Sequence, residues 1–171
     1  MSAKNIILIT LDGFRRDKIE LSPALKSIKK NSYYFSEMNT NAPYTFAAHH
    51  VIFSGMYPSC NGVDGYYKMF NFKKDEITTL AEMLRKNDYY TVSETLDESV
   101  LPRQGFDEYN LFDEKTVNLK KRHMELIKKL SKKEKFFAFL HFTDTHLHYV
   151  RDIVQKYEKS ENDDEYYKLK K

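Results

Sequence analysis

The stretch "NIILITLDG", residues 5–13, decides the fold that the sequence predicts. Its continuous apolar run, rich in β-branched residues, is typical of a central strand of a parallel sheet that is buried on both faces. The run breaks at Asp12-Gly13. We therefore predict a buried first strand that carries an aspartate at its carboxyl end.

Working outward, helical and strand patterns alternate along the chain, which predicts an α/β fold with a mainly parallel sheet flanked by helices. The predicted helices are "SPALKSIKKN", "FAAHHVIFSG", "ITTLAEMLRKN" and "TVNLKKRHMELIKKLSKK". The further predicted strands are "SYYFSEM", "YYTVSE" and "KFFAFLHFTD". The last of these ends in Asp144, as the first ends in Asp12.

Composition indicates one globular domain, over residues 1–158, followed by a polar tail at 159–171. The 28 basic and 25 acidic residues nearly balance, giving a net charge of +3, so no nucleic-acid partner is expected. A single cysteine permits no internal disulfide. The N-terminal apolar run is too short for a signal peptide or a membrane span, so we expect no membrane partner and a cytoplasmic location.

Asp12 and Asp144 are candidate metal ligands, because ligands of open α/β sheets bind beyond the carboxyl ends of the strands. The alternative is that each carboxylate only forms a turn, as aspartate often does after a strand. The segment "DTHLH", residues 144–148, adds two histidines within five residues. Imidazole and carboxylate together suit Zn²⁺ or Mn²⁺ better than Ca²⁺.

Thr45 precedes a predicted helix and has two readings that are compatible. Its hydroxyl can cap an N–H group of the helix, or it can act as a nucleophile whose pKa a metal lowers beside the positive helix end. His49 and His50 cannot both face one pocket from a helix. His49, one turn after Thr45, lies on the side of the threonine.

Five stretches, in this order, resemble the alkaline phosphatase and sulfatase superfamily over roughly the first 150 residues. They are "NIILITLDGFRRD", "APYTFAAHHVIFSGMYPSCNGV", "TTLAEMLRKNDYYTV", "QGFDEYN" and "FFAFLHFTDTHLHY". The resemblance implies that Asp12 binds a divalent metal and that Thr45 is the catalytic nucleophile, which is also a metal ligand. Gly55 of "SGMYP" stands at the matching distance from Thr45.

The segment "DTHLHY" is similar to two different elements of the superfamily. Similarity to the sulfatase-type "DPHxPY" implies that His146 contacts the substrate or its leaving group. Similarity to the Asp-x-x-x-His motif of nucleotide pyrophosphatases implies instead that Asp144 and His148 are metal ligands. Both alternatives stay open at this point.

Departures from the sulfatase pattern favour phosphoryl over sulfuryl transfer. The cysteine, proline and arginine of the sulfatase "CxPxR" element are replaced by Thr45, Ala47 and His49, so a formylglycine cannot form. The sulfate-holding "GKWHLG" element has no counterpart near "ETLDES". Threonine-nucleophile phosphodiesterases resemble the chain more closely, although Ala48 stands where they have a phosphate-binding asparagine.

The superfamily's second Asp-His pair, "DHG", does not occur in the sequence. We therefore expect the N-terminal half of a metal-dependent hydrolase or transferase acting on phosphate or sulfate esters, weakly active or inactive alone. A separate chain could supply the C-terminal half. The alternative function is a non-catalytic binding or interaction module derived from the same fold.

Overall fold

The computed structural model describes residues 5–114 and 116–146, and its centre is a four-stranded parallel sheet. The strands are β1 (Ile6–Leu11), β2 (Tyr90–Thr95), β3 (Glu108–Leu111) and β4 (Phe136–Phe142). The α-helices are α1 (Pro23–Lys30), α2 (Thr45–Ser54), α3 (Pro58–Asn61), α4 (Leu80–Lys86) and α5 (Leu119–Leu130). Two 3₁₀ helices span Arg16–Leu21 and Tyr66–Asn71.

The strand order β1-β4-β2-β3 places the last strand of the described chain next to the first. Ile6 pairs with Phe137 and Leu11 with Phe142, while Tyr90 on the other side pairs with Phe136. All pairs are parallel, so the carboxyl ends of the strands meet at one edge of the sheet. The segment after β4 is thereby brought next to Asp12.

Helices cover the two faces of the sheet unequally. On one face, Phe137 and Phe139 of β4 pack with Phe53 of α2 and Ala81 of α4 in a buried cluster. On the other face, the alternate β4 residues pack against α5 in a second cluster, which contains Val92, Leu126, Leu130, Phe136, Ala138 and Leu140. Alternating side chains of one strand therefore belong to two cores, as expected for a sheet between helical layers.

Side-chain caps mark the start of three helices, α1, α4 and α5. Thr79 caps α4 in a capping box, in which its hydroxyl accepts from the Glu82 N–H and the Glu82 carboxylate accepts from the Thr79 N–H. Asn118 caps α5 through Lys121, and Ser22 caps α1 ahead of Pro23. The predicted helices are thus all present, with α4 beginning three residues after Ile77.

The prediction that the first strand is central is wrong within the described residues, because β1 lies at the edge of the sheet. Ile7 and Ile9 are 45% and 53% exposed. The strands with both faces covered are the inner ones, β4, whose residues from Phe136 to His141 are all buried, and β2, buried from Thr91 to Thr95. An apolar run indicates that a strand can be buried, but the strand order of the whole sheet determines whether that strand is central and buried.

The predicted strand "SYYFSEM", residues 32–38, is also wrong, because the segment contains neither strand nor helix. Tyr33 and Phe35 are 94% and 70% exposed. The segment has aromatic β-propensity, but no strand of the described sheet pairs with it, and propensity alone does not make a strand. The chain therefore does not open with a β-α-β unit.

Among the described helices, none is both long and apolar enough to cross a bilayer. The predicted tail at 159–171 and His148 lie outside the described residues.

Candidate functional site

Asp12 and Thr45 meet at the carboxyl edge of the sheet, as the sequence predicts. Asp12 directly follows β1, where its N–H donates to the Phe142 carbonyl of the adjacent strand at 2.8 Å. Thr45 is the first residue of α2. Its Oγ1 lies 3.2 Å from both carboxylate oxygens of Asp12. The hydroxyl therefore donates to the carboxylate, and its lone pairs remain directed elsewhere.

The helix-cap reading of Thr45 is wrong, because the N-cap residue of α2 is Tyr44 and no side chain caps the helix. The first N–H groups of a helix have no acceptor within it, and they give this end a partial positive charge. Thr45 stands at that end without using its oxygen to cap it. An anionic group beside Thr45 would therefore meet free N–H donors as well as the hydroxyl.

His141 is a third member of the site, and the sequence analysis missed it. It lies on β4, is 1% exposed, and its Nε2 is 3.2 Å from Oδ2 of Asp12. Its only sequence signal is a single polar residue in the apolar run "FFAFLHF", which on its own is typical of packing. Asp12 thus holds hydrogen bonds to a hydroxyl and to an imidazole.

The segment after β4 closes over Asp12 and brings His146 to the site. The Thr145 hydroxyl donates to the Asp12 carbonyl at 2.5 Å. Gly13, with φ at +70°, lies so close that a Cβ there would stand 3.3 Å from the His146 Cα. Glycine is favoured here, because it allows this close approach and adopts this backbone conformation without strain. His146 is exposed but lines the same cavity as Asp12 and Thr45.

The site opens into a cavity of about 410 Å³ with one charged edge and one aromatic wall. Tyr66 packs edge-on against Tyr44, with ring centroids 5.6 Å apart, and its ring is tilted against that of Phe46, with centroids 5.4 Å apart. The lining residues are Asp12, Pro43, Tyr44, Thr45, Phe46, Tyr66, Leu96, Val100, His141 and His146. A volume of this size accommodates a small ester with an aromatic or heterocyclic group.

Asp12 is kept ionised by its neighbours. Burial raises the pKa of its carboxyl. The hydrogen bond from His141, the charges of His141 and His146, and the Thr45 hydroxyl together lower the pKa by more, so it lies below its usual value. An ionised carboxylate is an acceptor only, so the Thr45 hydroxyl and the His141 Nε2 are both donors to it.

His49 and His50 separate as predicted. The His49 ring packs edge-on against both Phe139 and His141, with centroids 5.3 Å apart in each pair. Burial lowers the pKa of His49 to about 4, so the ring is neutral at neutral pH. His50 lies on the other side of α2, where Nδ1 is 2.7 Å from the Phe46 carbonyl and the ring packs against Phe72.

Asp144 does not join this group in the structure. It follows β4 by two positions, is exposed, and is not among the residues that line the cavity. Its negative charge acts instead on buried His123 of α5. Its predicted partner, His148, lies outside the described residues. The roles of Asp144 and His148 as ligands, and of His146 as a substrate contact, stay predictions.

A divalent metal fits the donors that are present, although they do not complete a site. Two ligands that each lie about 2.1 Å from one Zn²⁺ are roughly 3 Å apart, which is compatible with the 3.2 Å between Thr45 Oγ1 and Asp12 Oδ1. Within the part of the chain that the structure describes, no three His, Cys, Asp or Glu side chains are grouped as a metal site. Asp12 and Thr45 would thus be two ligands of a larger set.

Solved structures with the same fold include two of murine ectonucleotide pyrophosphatase/phosphodiesterase 5. One is an inactive threonine-to-alanine variant in complex with AMP, at 14% identity and a TM-score of 0.66, covering 82% of this chain and 43% of that one. The other has 14% identity, a TM-score of 0.64 and coverages of 81% and 43%. A third structure, of a Vibrio parahaemolyticus protein in the alkaline phosphatase superfamily, has 17% identity and a TM-score of 0.63, and the match covers 81% of this chain and 40% of that one.

The chain spans less than half the length of these matched structures. No curated protein sequence is similar enough to count as a match. The family model described as Sulfatase, however, matches residues 4–168, which is nearly the whole chain. Together with the fold and the position of Asp12 and Thr45, this match shows that the chain belongs to the sulfatase family, within the alkaline phosphatase superfamily.

Proposed function

We propose that this chain carries the nucleophile of a metal-dependent hydrolase of phosphodiesters, with Thr45 as the attacking residue and Asp12 as a metal ligand. The observation that carries the proposal is the Thr45 hydroxyl, 3.2 Å from both oxygens of an ionised carboxylate, at the amino end of a helix and inside a cavity. Nucleophile, ligand and anion-binding helix end are thereby adjacent.

In the proposed reaction, the Thr45 hydroxyl loses its proton to solvent, and its Oγ forms a bond to phosphorus while the bond from phosphorus to the leaving oxygen breaks. The leaving oxygen takes a proton from water. A second water then cleaves the phosphodiester of Thr45, which releases the phosphomonoester and regenerates the hydroxyl. A bound divalent ion would lower the pKa of the threonine hydroxyl and screen the charge that develops on the transferred group. Asp12 and Thr45 would hold it, and the α2 N–H groups would face the nonbridging oxygens.

Two features favour phosphate over sulfate esters. The nucleophile position holds threonine, which cannot be converted into the formylglycine of sulfatases. The structural match to a phosphodiesterase, described as inactive when a threonine is replaced by alanine and solved with AMP, supports a threonine nucleophile and a nucleotide-like ester. The aromatic wall of Tyr44, Phe46 and Tyr66 offers rings on which a base can stack.

His146 is proposed to contact the leaving oxygen of the ester. It lines the cavity, and its approach to Gly13 fixes the backbone that carries it beside Asp12. A histidine at this position can donate an N–H to developing negative charge on the leaving group. Leaving-group contact is one of the two alternatives that the segment "DTHLHY" leaves open.

A further polypeptide segment is proposed to complete the metal site. Asp12 and Thr45 provide two ligands, whereas a catalytic zinc takes three protein ligands and keeps one open position. Within the described sheet, β1 has a free backbone edge at which more strands could pair, and its face with Ile7, Ile9 and Leu11 is exposed, so a further segment could cover it. The matched structures are more than twice as long as the part that aligns with this chain.

The test is covalent labelling of Thr45, which does not require efficient turnover. The chain is incubated with Zn²⁺ or Mn²⁺ and an activated nitrophenyl ester of a nucleoside monophosphate, quenched in acid, and analysed by intact mass and peptide mapping. We expect nitrophenol release with one nucleotidyl group on Thr45. The Thr45→Ala variant should show neither, and the corresponding nitrophenyl sulfate should give no sulfated threonine.

Thr116→Ala is the matched control, because Thr116 is exposed and the substitution removes a hydroxyl that lies outside the cavity. Labelling that is unchanged in Thr45→Ala would contradict the assignment of the nucleophile. Metal-dependent binding of AMP without any labelling or hydrolysis would favour the alternative function, a non-catalytic binding module built on this fold.

A further inference from the structure

A group of buried polar atoms lies beneath the Asp12–Thr45 site, and none of these atoms has a protein partner among the described residues. They are Nδ1 of His49, Nδ1 of His141, Oγ1 of Thr10 and Oγ1 of Thr95. Buried polar groups in folded proteins nearly always have a hydrogen-bond partner, supplied by protein or by ordered water. Four such atoms in one place therefore require a partner that the described residues do not supply.

The sheet places these side chains together on one face. Thr10 pairs directly with His141 across β1 and β4. On the other side of His141, Glu94 pairs with Leu140, so the next residue of β2, Thr95, continues that register beside His141. His49 of α2 covers the row, with its ring centroid 5.3 Å from that of His141 and its ring plane nearly perpendicular to it.

The hydrogen-bonding capacities of these groups are complementary. The Nδ1 atom of His49 is buried and has no partner among the described residues. His141 uses Nε2 for Asp12, which leaves its Nδ1 facing the interior. The threonine hydroxyls can donate or accept. A water molecule can likewise donate to one ring nitrogen and accept from a hydroxyl.

We propose that ordered water is bound between His49, His141 and the hydroxyls of Thr10 and Thr95, and that it fixes the His141 ring in the orientation that holds Asp12. A buried water is stable where it has two to four polar partners, and this site offers four. His141 is thus a positioning residue for Asp12. This role rests on the proposed function of Asp12 as a metal ligand, whereas the water site itself does not.

The first test compares two buried hydroxyls of the same strand. Ser93 also has a buried Oγ with no partner among the described residues, but the residue paired with it on β4 is Phe139, whose side chain offers no hydrogen-bonding atom. Thr95→Val should lower the thermal midpoint because it removes a partner of the water. Ser93→Ala should leave the midpoint unchanged or raise it. A midpoint that rises in Thr95→Val as well would overturn the proposal.

The second test observes the histidines directly. Long-range ¹H–¹⁵N spectra of each metal-free variant are compared with those of the metal-free wild type. Thr95→Val and Thr10→Val should each shift the Nδ1 resonances of His49 and His141, whereas Ser93→Ala should not. Unshifted Nδ1 resonances in both threonine variants would overturn the water site. A crystal structure of the chain should show the water within hydrogen-bond distance of both rings.

The positioning role has its own readout. Mn²⁺ should raise the thermal midpoint of the wild-type chain, and Thr95→Val should reduce that rise while Ser93→Ala preserves it. An equal rise in Thr95→Val and wild type would refute the positioning of Asp12. If Mn²⁺ does not raise the wild-type midpoint, the proposed function fails, and the metal-free spectra still decide whether water bridges the two histidines.

Discussion

The Oγ1 atom of Thr45 lies at the same distance, 3.2 Å, from both carboxylate oxygens of Asp12. The two residues are 33 positions apart in the chain and meet because β1 ends where α2 begins. The Thr45 hydroxyl is therefore equally close to the two carboxylate oxygens and not bonded to one of them alone. The pair therefore presents three oxygens on one side of the cavity, which suits a divalent cation.

Asp12→Asn should abolish the rise in thermal midpoint that Zn²⁺ or Mn²⁺ causes in the purified chain. A ligand that binds only the folded state raises its stability by about 2 to 3 kcal/mol at a hundredfold excess over the dissociation constant. The neutral amide keeps the shape of Asp12 but loses the charge that attracts the ion. The measurement is the thermal midpoint of each protein with and without Zn²⁺ or Mn²⁺.

Asp64→Asn is the control for this comparison, because Asp64 is exposed and pairs only with Lys68 among the contacts that the structure describes. It should retain the full metal-induced rise. An equal rise in Asp12→Asn would show that the ion binds elsewhere on the chain, and the proposed role of Asp12 would then be incorrect.

Gly13→Ala should destabilise the fold and also disturb the site. The φ of +70° is a conformation that costs a residue with a Cβ roughly 1 to 2 kcal/mol, and the new Cβ would press on the His146 backbone. Gly55→Ala is the matched control, because its φ is +66° but no atom lies within 4 Å of the added Cβ. Both variants should lose stability in urea unfolding, and only Gly13→Ala should also lower Thr45 labelling.

Arg122→Met should destabilise the chain by leaving a buried carboxylate unpaired. Arg122 Nε donates to Glu94, whose side chain is only 5% exposed. Removing one partner of a buried ion pair costs about 3 kcal/mol or more, and the partial exposure of Arg122 puts the expected loss near the lower end. Chemical denaturation at neutral pH measures it. Adding Glu94→Gln to Arg122→Met should recover part of the loss.

The same pair predicts a pH dependence. Burial raises the pKa of Glu94 above its ordinary 4.5, although Arg122 opposes the shift. Between the ordinary and the raised pKa, the folded state binds more protons than the unfolded state, so this residue's contribution to stability falls as the pH rises. In Arg122→Met the pKa should rise further and the fall should extend to higher pH. A difference in the free energy of unfolding between wild type and Arg122→Met that does not change from about pH 4 upward, roughly the ordinary glutamate range, would contradict this.

His123→Leu should make the chain more resistant to acid. Burial and the charge of Arg122 lower the pKa of His123 to about 4, from an ordinary 6.5. Between these values the unfolded state binds more protons, so stability is lost as the pH falls from 6.5 to about 4, by about 3 kcal/mol if each pKa unit is worth about 1.4. Unfolding measured across this range should show a smaller loss in the variant.

Met124→Leu serves as the neighbouring control, since Met124 is 66% exposed and does not titrate. Its pH profile should match that of the wild type. His49 also has a pKa lowered to about 4, so His123→Leu should retain part of the acid sensitivity. A His123→Leu profile that coincides with wild type would assign the loss to other groups.

The features that the sequence predicts correctly are those set by neighbours along the chain. The helical pattern of "ITTLAEMLRKN", the Asp12-Gly13 break after β1 and the apolar run of β4 are local signals, and each gives the expected element. The rule that parallel strands bring their carboxyl ends to one edge correctly places Asp12 there, whereas Thr45 is assigned to the same site by the family resemblance. Family resemblance added their roles, which geometry alone does not assign.

The features that the sequence leaves unpredicted depend on contacts between distant segments. His141 has an apolar setting, and its partner Asp12 is 129 residues away. The strand β3, with the mixed sequence "EYNL", exists because β2 offers a parallel partner. Conversely, residues 32–38 have aromatic β-propensity without such a partner. Pairing across the sheet, which no local pattern encodes, decides all three cases.

Ile9→Lys should reduce self-association of the chain with little effect on its stability. Ile9 is 53% exposed on β1, which is an edge strand of the described sheet and has unpaired backbone groups along one side. Such an edge, flanked by exposed Ile7 and Leu11, can pair with another chain, and a lysine on it opposes that pairing. Sedimentation velocity over a concentration series should show wild-type dimers or larger species and a monomeric variant. Met124→Lys places the same charge on an exposed apolar residue of α5, away from the edge, and should associate like the wild type. If both lysine variants dissociate equally, charge rather than the β1 edge controls association, and the edge loses its support as the surface that receives further strands.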